Sequence, residues 1–123
     1  MPSLDMIGPH KFDKETIEKV VILDNPGNYA LGYIESNSFV VRYVGRSDDQ
    51  SVRDRLMQHL SDGVDEYKFF KYSYDLNQTK RFYKECKNYH DFGENKRLLN
   101  KNHPDAPDGT NLKCPYCLEI NDK

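Results

Sequence analysis

Apolar residues recur along the chain with two periods, and the switches between them outline the elements. From Asp13, "DKETIEKVVILD" puts Ile17, Val20 and Val21 on one helical face, and "NPGN" then breaks the chain. "NYALGYI" and "FVVRYVG" are rich in β-branched and aromatic residues and predict two strands joined by "ESNS". In "SDDQSVRDRLMQHLSDG" the stripe Val52, Leu56, Leu60 predicts a helix, with Ser47 as N-cap, Gln50 three positions on and Gly63 as the stop. "YKFFKYSY" predicts a third strand, and Asp75 with Gln78 is a capping-box pattern opening a helix that runs to about His90. Residues 1–12 read as a loose arm. The tail "NHPDAPDGTNLKCPYCLEINDK" is too polar to dock by hydrophobic burial alone, so something else must hold it. The whole predicts one α/β domain of the α+β type across residues 1–123, a three-stranded antiparallel sheet flanked by helices. Arm and first helix occupy 1–21, the core 22–103 and the tail 104–123.

Pairing the first two strands as a hairpin sets Tyr29 opposite Tyr43, Leu31 opposite Val41, Tyr33 opposite Phe39 and Ile34 opposite Ser38. Glu35, Ser36 and Asn37 then form a three-residue turn, with Asn37 where a left-handed conformation is needed. The register with Tyr33 opposite Tyr43 leaves only Ser38 to turn the chain and is rejected. Directly opposed side chains lie about 5 Å apart, so two phenols project together from one face, either as a packing pair or as part of a site.

Composition narrows the setting. A chain of 123 residues holds one core. It shows no apolar run of signal-peptide or membrane-spanning length, so a cytoplasmic setting, or wherever its DNA lies if it acts on DNA, is expected. Thiols stay reduced there, and the three cysteines read as ligands, nucleophiles or core residues before disulfides. The net charge of −2 argues against a protein coated in positive charge. Residues 66–101 nevertheless hold nine Lys/Arg against five Asp/Glu, as a phosphate-facing surface or a solvated face would. Lys80, Lys84 and Lys87 form a stripe on the last predicted helix, suited either to phosphate contact or to solubility.

The residue types suit phosphodiester hydrolysis. Glu85 is a hard oxygen ligand of the kind Mg²⁺ takes, and Arg55 offers a planar fork to a phosphate. A tyrosine or His59 must take a proton from water, and a tyrosine with a free pKa of about 10 needs help to do so. "PGNYALGYI", "RYVGRS", "VRDRLMQHL", "FYKEC" and "LLNKNHP", in that order, resemble the GIY-YIG nuclease family over about residues 22–103. The matching positions are Gly27 and Tyr29; Tyr43, Val44 and Gly45; Arg55 and His59; Glu85; and Asn100. The resemblance implies Mg²⁺-dependent endonuclease action on DNA or RNA, leaving 5′-phosphate and 3′-hydroxyl ends. Tyr29 would act as, or beside, the general base, Tyr43 would order water and phosphate, and Asn100 would support Glu85 or substrate. Asn28 departs from the usual apolar residue of the first motif. Arg53 and Asn102 are rivals of Arg55 and Asn100; Arg55 is preferred because it shares a helix face with His59. An endonuclease this small is expected to work as a homodimer or with a separate targeting partner. The alternative is a zinc-stabilised nucleic-acid-binding module without catalysis.

A second set of residues suits a softer metal. Cys86 and His90 are one helical turn apart, and Cys114 and Cys117 form "CPYC", the tight turn that supplies two thiolates to zinc. Together they predict a structural Cys₃His zinc site that rivets the tail to the helix bearing Glu85, with His103 as the rival fourth ligand.

Overall fold

The computed structural model describes residues 3–117. A single antiparallel sheet is built from β1 (Ile7–Lys11), β2 (Gly27–Glu35), β3 (Ser38–Arg46) and β4 (Phe69–Tyr74), in the order β1-β4-β2-β3. The sheet therefore has four strands, not three. The extra strand lies in the expected arm: Ile7 pairs with Tyr72, and Lys11 with Phe69. Its side chains are mostly exposed, which is why hydrophobic periodicity gave no sign of it.

The helices α1 (Lys14–Val20), α2 (Val52–Ser61), α3 (Gln78–Asp91) and the short α4 (Glu94–Arg97) pack around this sheet. Asp13 caps α1 by accepting from the Thr16 amide at 2.8 Å. The cap of α2 is Ser51, which accepts from the Asp54 amide, while Ser47 accepts from the Gly27 amide and so ties the end of β3 to the start of β2. The cap of α3 is Asn77, and Asp75 accepts from the Asn77 amide in the turn before it. Both helices thus begin later than the sequence pattern suggested, because a second polar residue competes for each cap.

Tyr29, Leu31, Phe70 and Tyr72 cover one sheet face and meet Ile17 and Val21 of the α1 segment and Val52 and Leu56 of α2. On the opposite face Ala30, Val41 and Val44 meet Tyr89 of α3 together with Leu98 and Leu4.

The hairpin register also differs from expectation. Ser36 and Asn37 alone make the turn, both at positive φ (50° and 66°), so Glu35 pairs with Ser38. Two left-handed residues match the natural strand twist better than a three-residue loop does. A bulge at Arg42 then shifts the ladder again, so Leu31 faces Tyr43 and Tyr29 faces Gly45. Each shift moves the pairing by one residue; together they restore the parity, and Tyr29 and Tyr43 still share a face. Their rings stack as diagonal neighbours, 6.3 Å between centroids and 15° apart in plane.

Strand β3 is a sheet edge, and the chain after α4 covers it. The Leu99 amide donates to the Arg42 carbonyl, and the Asn100 side chain makes two bonds to Val44, at 3.0 Å from the backbone amide and 2.8 Å to the carbonyl. A side-chain amide here imitates one rung of a fifth strand and protects the edge. Among the described residues no helix is long and apolar enough to cross a membrane.

Candidate functional site

Beside this covered edge lies a cavity of about 420 Å³ lined by Tyr43, His59, Asp62, Tyr67 and Glu85 and walled by residues 99–105. Strand β3 supplies Tyr43, the end of α2 supplies His59 and Asp62, and α3 supplies Glu85. Because β3 is the last strand, groups from both sheet faces reach the same space.

Tyr29 is fully buried and does not line the cavity. Its hydroxyl is 2.8 Å from His59 Nε2, behind the imidazole. The other ring nitrogen, Nδ1, lies 3.4 Å from Asp62 Oδ2, on the cavity side. Tyr43 packs at 4.7 Å between centroids against His59, and Tyr67 meets both rings edge-on. The imidazole is thereby packed among three tyrosine rings and beside one carboxylate.

Gly45 explains how Tyr29 fits. A Cβ at that position would lie 2.9 Å from Tyr29 Cε2 and closer still to the hydroxyl end of the ring. The phenol therefore lies directly over the glycine, on the strand position opposite its own. Only a residue without a side chain leaves that room.

Burial perturbs each titratable group. It pushes the Tyr29 phenol far above its ordinary value, reinforced by Tyr43 and opposed by Arg55. It raises Tyr43 as well, with Glu85 adding and Arg55 opposing. Burial followed by the Arg55 charge lowers the His59 pKa, so the imidazole is neutral at pH 7. Burial pushes the Glu85 carboxyl up to about 7, with Arg46 acting against it. Neither phenol is an available base at neutral pH, whereas His59 is.

Arg55 is the arginine whose charge acts on Tyr29, Tyr43, His59 and Glu85. Arg53 points elsewhere, to the Val21 and Ile22 carbonyls and Asp24. Asn100 lines the cavity while its amide is engaged by Val44, so it fixes the wall; Asn102 lines the same wall. Asn28 is buried on the opposite face and donates to the Arg81 carbonyl at 3.0 Å, linking β2 to α3. The lysine stripe is not a row of free cations. Lys84 donates to the Asp5 carbonyl at 2.7 Å and to Ser73 Oγ at 2.9 Å, and Lys87 pairs with Asp91. Lys80 is exposed, with no side-chain partner among the described residues.

Sequence reasoning missed three participants. Asp62 follows His59 by three residues and could have been found from that spacing. Tyr67, expected as the first residue of the third strand, lies in the loop before β4, which starts at Phe69. Arg46 ends β3 on the α3 side, bonds Asp48 at 3.0 Å and Glu85 at short range, and stacks over the Phe82 ring at 5.3 Å.

A second cluster lies at the other end of α3. The ligand atoms of His90, His103, Cys114 and Cys117 all fall within 4.8 Å of one another, a set able to hold a metal ion. His103 takes the place that Cys86 was expected to fill. The segment after Asn100 folds back against α3 and brings the His103 ring to 5.2 Å from that of His90. Cys86 is fully buried and packs with Phe82 and Cys114 beneath the cluster. Burial there raises its thiol well above the ordinary range and keeps it protonated.

The proton positions in this cluster follow from its neighbours. His90 Nδ1 is 2.6 Å from Glu94 Oε2, and His103 Nδ1 is 2.7 Å from the Pro104 carbonyl. Both partners only accept, so both Nδ1 atoms carry a hydrogen and Nε2 is the atom each ring turns toward the cluster. Those two Nε2 atoms are 3.2 Å apart, and each is within 3.2 Å of Cys117 Sγ. Such a convergence of nitrogen and sulfur atoms suits a shared cation.

Comparison with known protein families, with curated proteins and with solved structures finds no match to this chain.

Proposed function

We propose that the protein is a Mg²⁺-dependent endonuclease of the GIY-YIG type that hydrolyses phosphodiester bonds in DNA. One observation carries the reading: separate chain segments bring Tyr43, His59 and Glu85 to one cavity under the influence of Arg55. These are the residue types that phosphodiester hydrolysis needs, and the ordered motifs of the sequence name the same positions.

The roles follow from which atoms face the cavity. His59 is a neutral ring in the cavity lining, so it is assigned the proton from water, and the Asp62 carboxylate 3.4 Å from Nδ1 stabilises the resulting imidazolium. Tyr29, hydrogen-bonded to Nε2 behind the ring, fixes its orientation, a supporting role in place of the base role that the family resemblance implies. Tyr43 presents its phenol to the cavity and orders water and phosphate. Arg55 does not line the cavity, and its Nη1 donates to Gln58 Oε1 at 2.6 Å; on turning from Gln58 it would clamp the non-bridging oxygens. Glu85 is the carboxylate that would hold Mg²⁺, which needs few protein ligands and keeps several waters. When bound, that ion supplies charge neutralisation at the scissile phosphate.

The metal of the second cluster is zinc in this reading. A tetrahedral zinc with ordinary Zn–N and Zn–S bonds sets its ligand atoms about 3.3–3.8 Å apart, close to the spacings of 3.1 and 3.2 Å seen among Nε2 and Sγ atoms. Glu94 and the Pro104 carbonyl supply the outer hydrogen bonds that zinc-binding imidazoles require. The site is Cys₂His₂, and it ties the tail to α3. His103 also lines the cavity, so the zinc fixes one wall of the active site.

One observation favours the alternative, a nucleic-acid-binding module without catalysis: Arg46 is bound to the carboxylate that the metal needs. Incubation with duplex, branched and single-stranded DNA, with and without Mg²⁺, separates the two. Cleavage that requires Mg²⁺ supports the nuclease; DNA binding without cleavage on any substrate supports the alternative.

A further inference from the structure

Arg46 lies between two carboxylates. Its Nε bonds Asp48 Oδ2 at 3.0 Å, and its Nη1 makes a short bond to Glu85 Oε1. Asp48 is held on its other oxygen by Arg81, whose guanidinium nitrogens lie 3.4 and 3.5 Å from Oδ1. Arg81 is in turn fixed by the Asp75 carbonyl at 2.9 Å. Asp48 therefore keeps a cation whether or not Arg46 stays, whereas Arg46 is the one hydrogen-bond partner of Glu85 among the side-chain bonds of the described residues.

The two ends of the Arg46 side chain differ in the same way. The Phe82 ring supports the guanidinium from below, and Asp48 anchors Nε. Nη1 bonds Glu85, which forms part of the cavity wall. The Glu85 bond is made by a different atom from the Asp48 bond, so losing the first would not by itself remove the second. The charges favour such an exchange. A divalent cation and a guanidinium on the same buried carboxylate repel each other strongly, and the more weakly hydrated guanidinium has a second carboxylate to fall back on.

We infer that Arg46 is a displaceable counter-cation of Glu85: it holds the carboxylate until a divalent metal takes its place, and then remains on Asp48. This rests on the assignment of Glu85 as the metal-holding residue. It makes Arg46 a positioning residue that sets the metal concentration at which the site becomes competent, and it reconciles the Arg46–Glu85 bond with a metal-dependent reaction.

The test is the affinity of zinc-replete protein for Mn²⁺, read by electron paramagnetic resonance of the free ion, in the absence of DNA. Read at a pH at which the Glu85 carboxyl is ionised in both proteins, Arg46→Gln is expected to bind Mn²⁺ about tenfold or more tightly than wild type, because an opposite charge in contact shifts the affinity of a carboxylate for a competing cation by about one to three powers of ten. Arg46→Lys keeps the charge and the stem over Phe82 and is expected to stay within about threefold of wild type on the same grounds. Weaker or unchanged binding in Arg46→Gln, with circular dichroism matching wild type, overturns the inference, since an arginine that merely orients Glu85 would lower affinity when removed. If Arg46→Gln misfolds, Arg46→Lys decides alone: more than tenfold weaker binding overturns the inference, and retained affinity supports it. Glu85→Gln separates the layers. If it binds Mn²⁺ as wild type does, Glu85 is no metal ligand and the underlying assignment fails, a result distinct from failure of the exchange.

Discussion

Gly45→Ala adds one methyl group at the point where Tyr29 crosses β3. The new Cβ would lie 2.9 Å from Tyr29 Cε2 and nearer to the end of the ring. Restoring an ordinary carbon contact of about 3.5 Å drives the phenol away by roughly 1 Å. Tyr29 is fully buried, stacked on Tyr43 and packed against His59, so it has no free direction in which to move. Overpacking of this kind costs about 1–3 kcal/mol. The Tyr29–His59 hydrogen bond, now 2.8 Å, stretches past its useful range and removes about 1 kcal/mol more. The expected loss is about 2–4 kcal/mol, read as a lower urea midpoint at unchanged m-value. Cleavage should fall by about 100-fold beyond what stability explains, because a displacement of about 1 Å in the phenol that orients His59 is enough to cost that much. Gly63→Ala is the comparator: a Cβ there would meet nothing within 4 Å, and only the φ of +64° opposes a side chain. That variant should lose about 1–2 kcal/mol and keep its cleavage rate. A Gly45→Ala protein with wild-type stability and activity would refute the packing of Tyr29 over the glycine.

Four further outcomes are expected. His59→Gln should cut the cleavage rate by about 10²–10⁴-fold, and Tyr29→Phe should cut it less, since the phenol only orients the imidazole; the reverse order in single-turnover assays returns the base role to Tyr29. The lowered His59 pKa has a sign for stability: the unfolded imidazole takes up a proton below its ordinary value of 6.5 while the folded one resists, so stability contributed by His59 is present above pH 6.5 and lost as pH falls toward the folded value. Denaturant melts from pH 7.5 to 5 should show that decline in wild type and a shallower one in His59→Gln. Wild-type protein should contain one zinc per chain, as should Cys86→Ser, whereas Cys117→Ser and His103→Ala should not; full zinc in His103→Ala would return the fourth position to Cys86. Ser51→Ala should destabilise by about 1 kcal/mol through loss of the α2 cap, with Ser51→Asp as the conservative rescue in thermal melts.

Much of the fold was legible because hydrophobic burial leaves a periodic trace. Ile17, Val52 and Leu56 mark helices, and the alternation around Tyr29 and Leu31 marks a strand. β1 left no such trace, because its residues are largely exposed and its stability comes from backbone bonds to β4. The hairpin register was hidden for a related reason: the bulge at Arg42 is a backbone event with no residue type that announces it. The shared face of the two tyrosines survived only because turn and bulge errors cancelled in parity. In the site, residues at helical spacing were found, including Arg55 with His59 and His90 near the CPYC turn. Contacts made across long sequence separations were not. Cys86 has the right spacing for a ligand with His90 yet packs as a core residue, since its place in the metal set depends on where the loop carrying His103 lands. Likewise no local pattern could show that Tyr29 lies behind His59 and away from the cavity.

The most direct test of the central claim is cleavage of a labelled panel of duplex, branched and single-stranded DNA by wild type and by Glu85→Gln, with DNA binding measured in parallel. Wild type should cleave at least one substrate in a Mg²⁺-dependent manner, and Glu85→Gln should lose that cleavage with binding retained. Cleavage by Glu85→Gln at the wild-type rate, or a wild type that binds every substrate and cuts none with Mg²⁺ present, contradicts it.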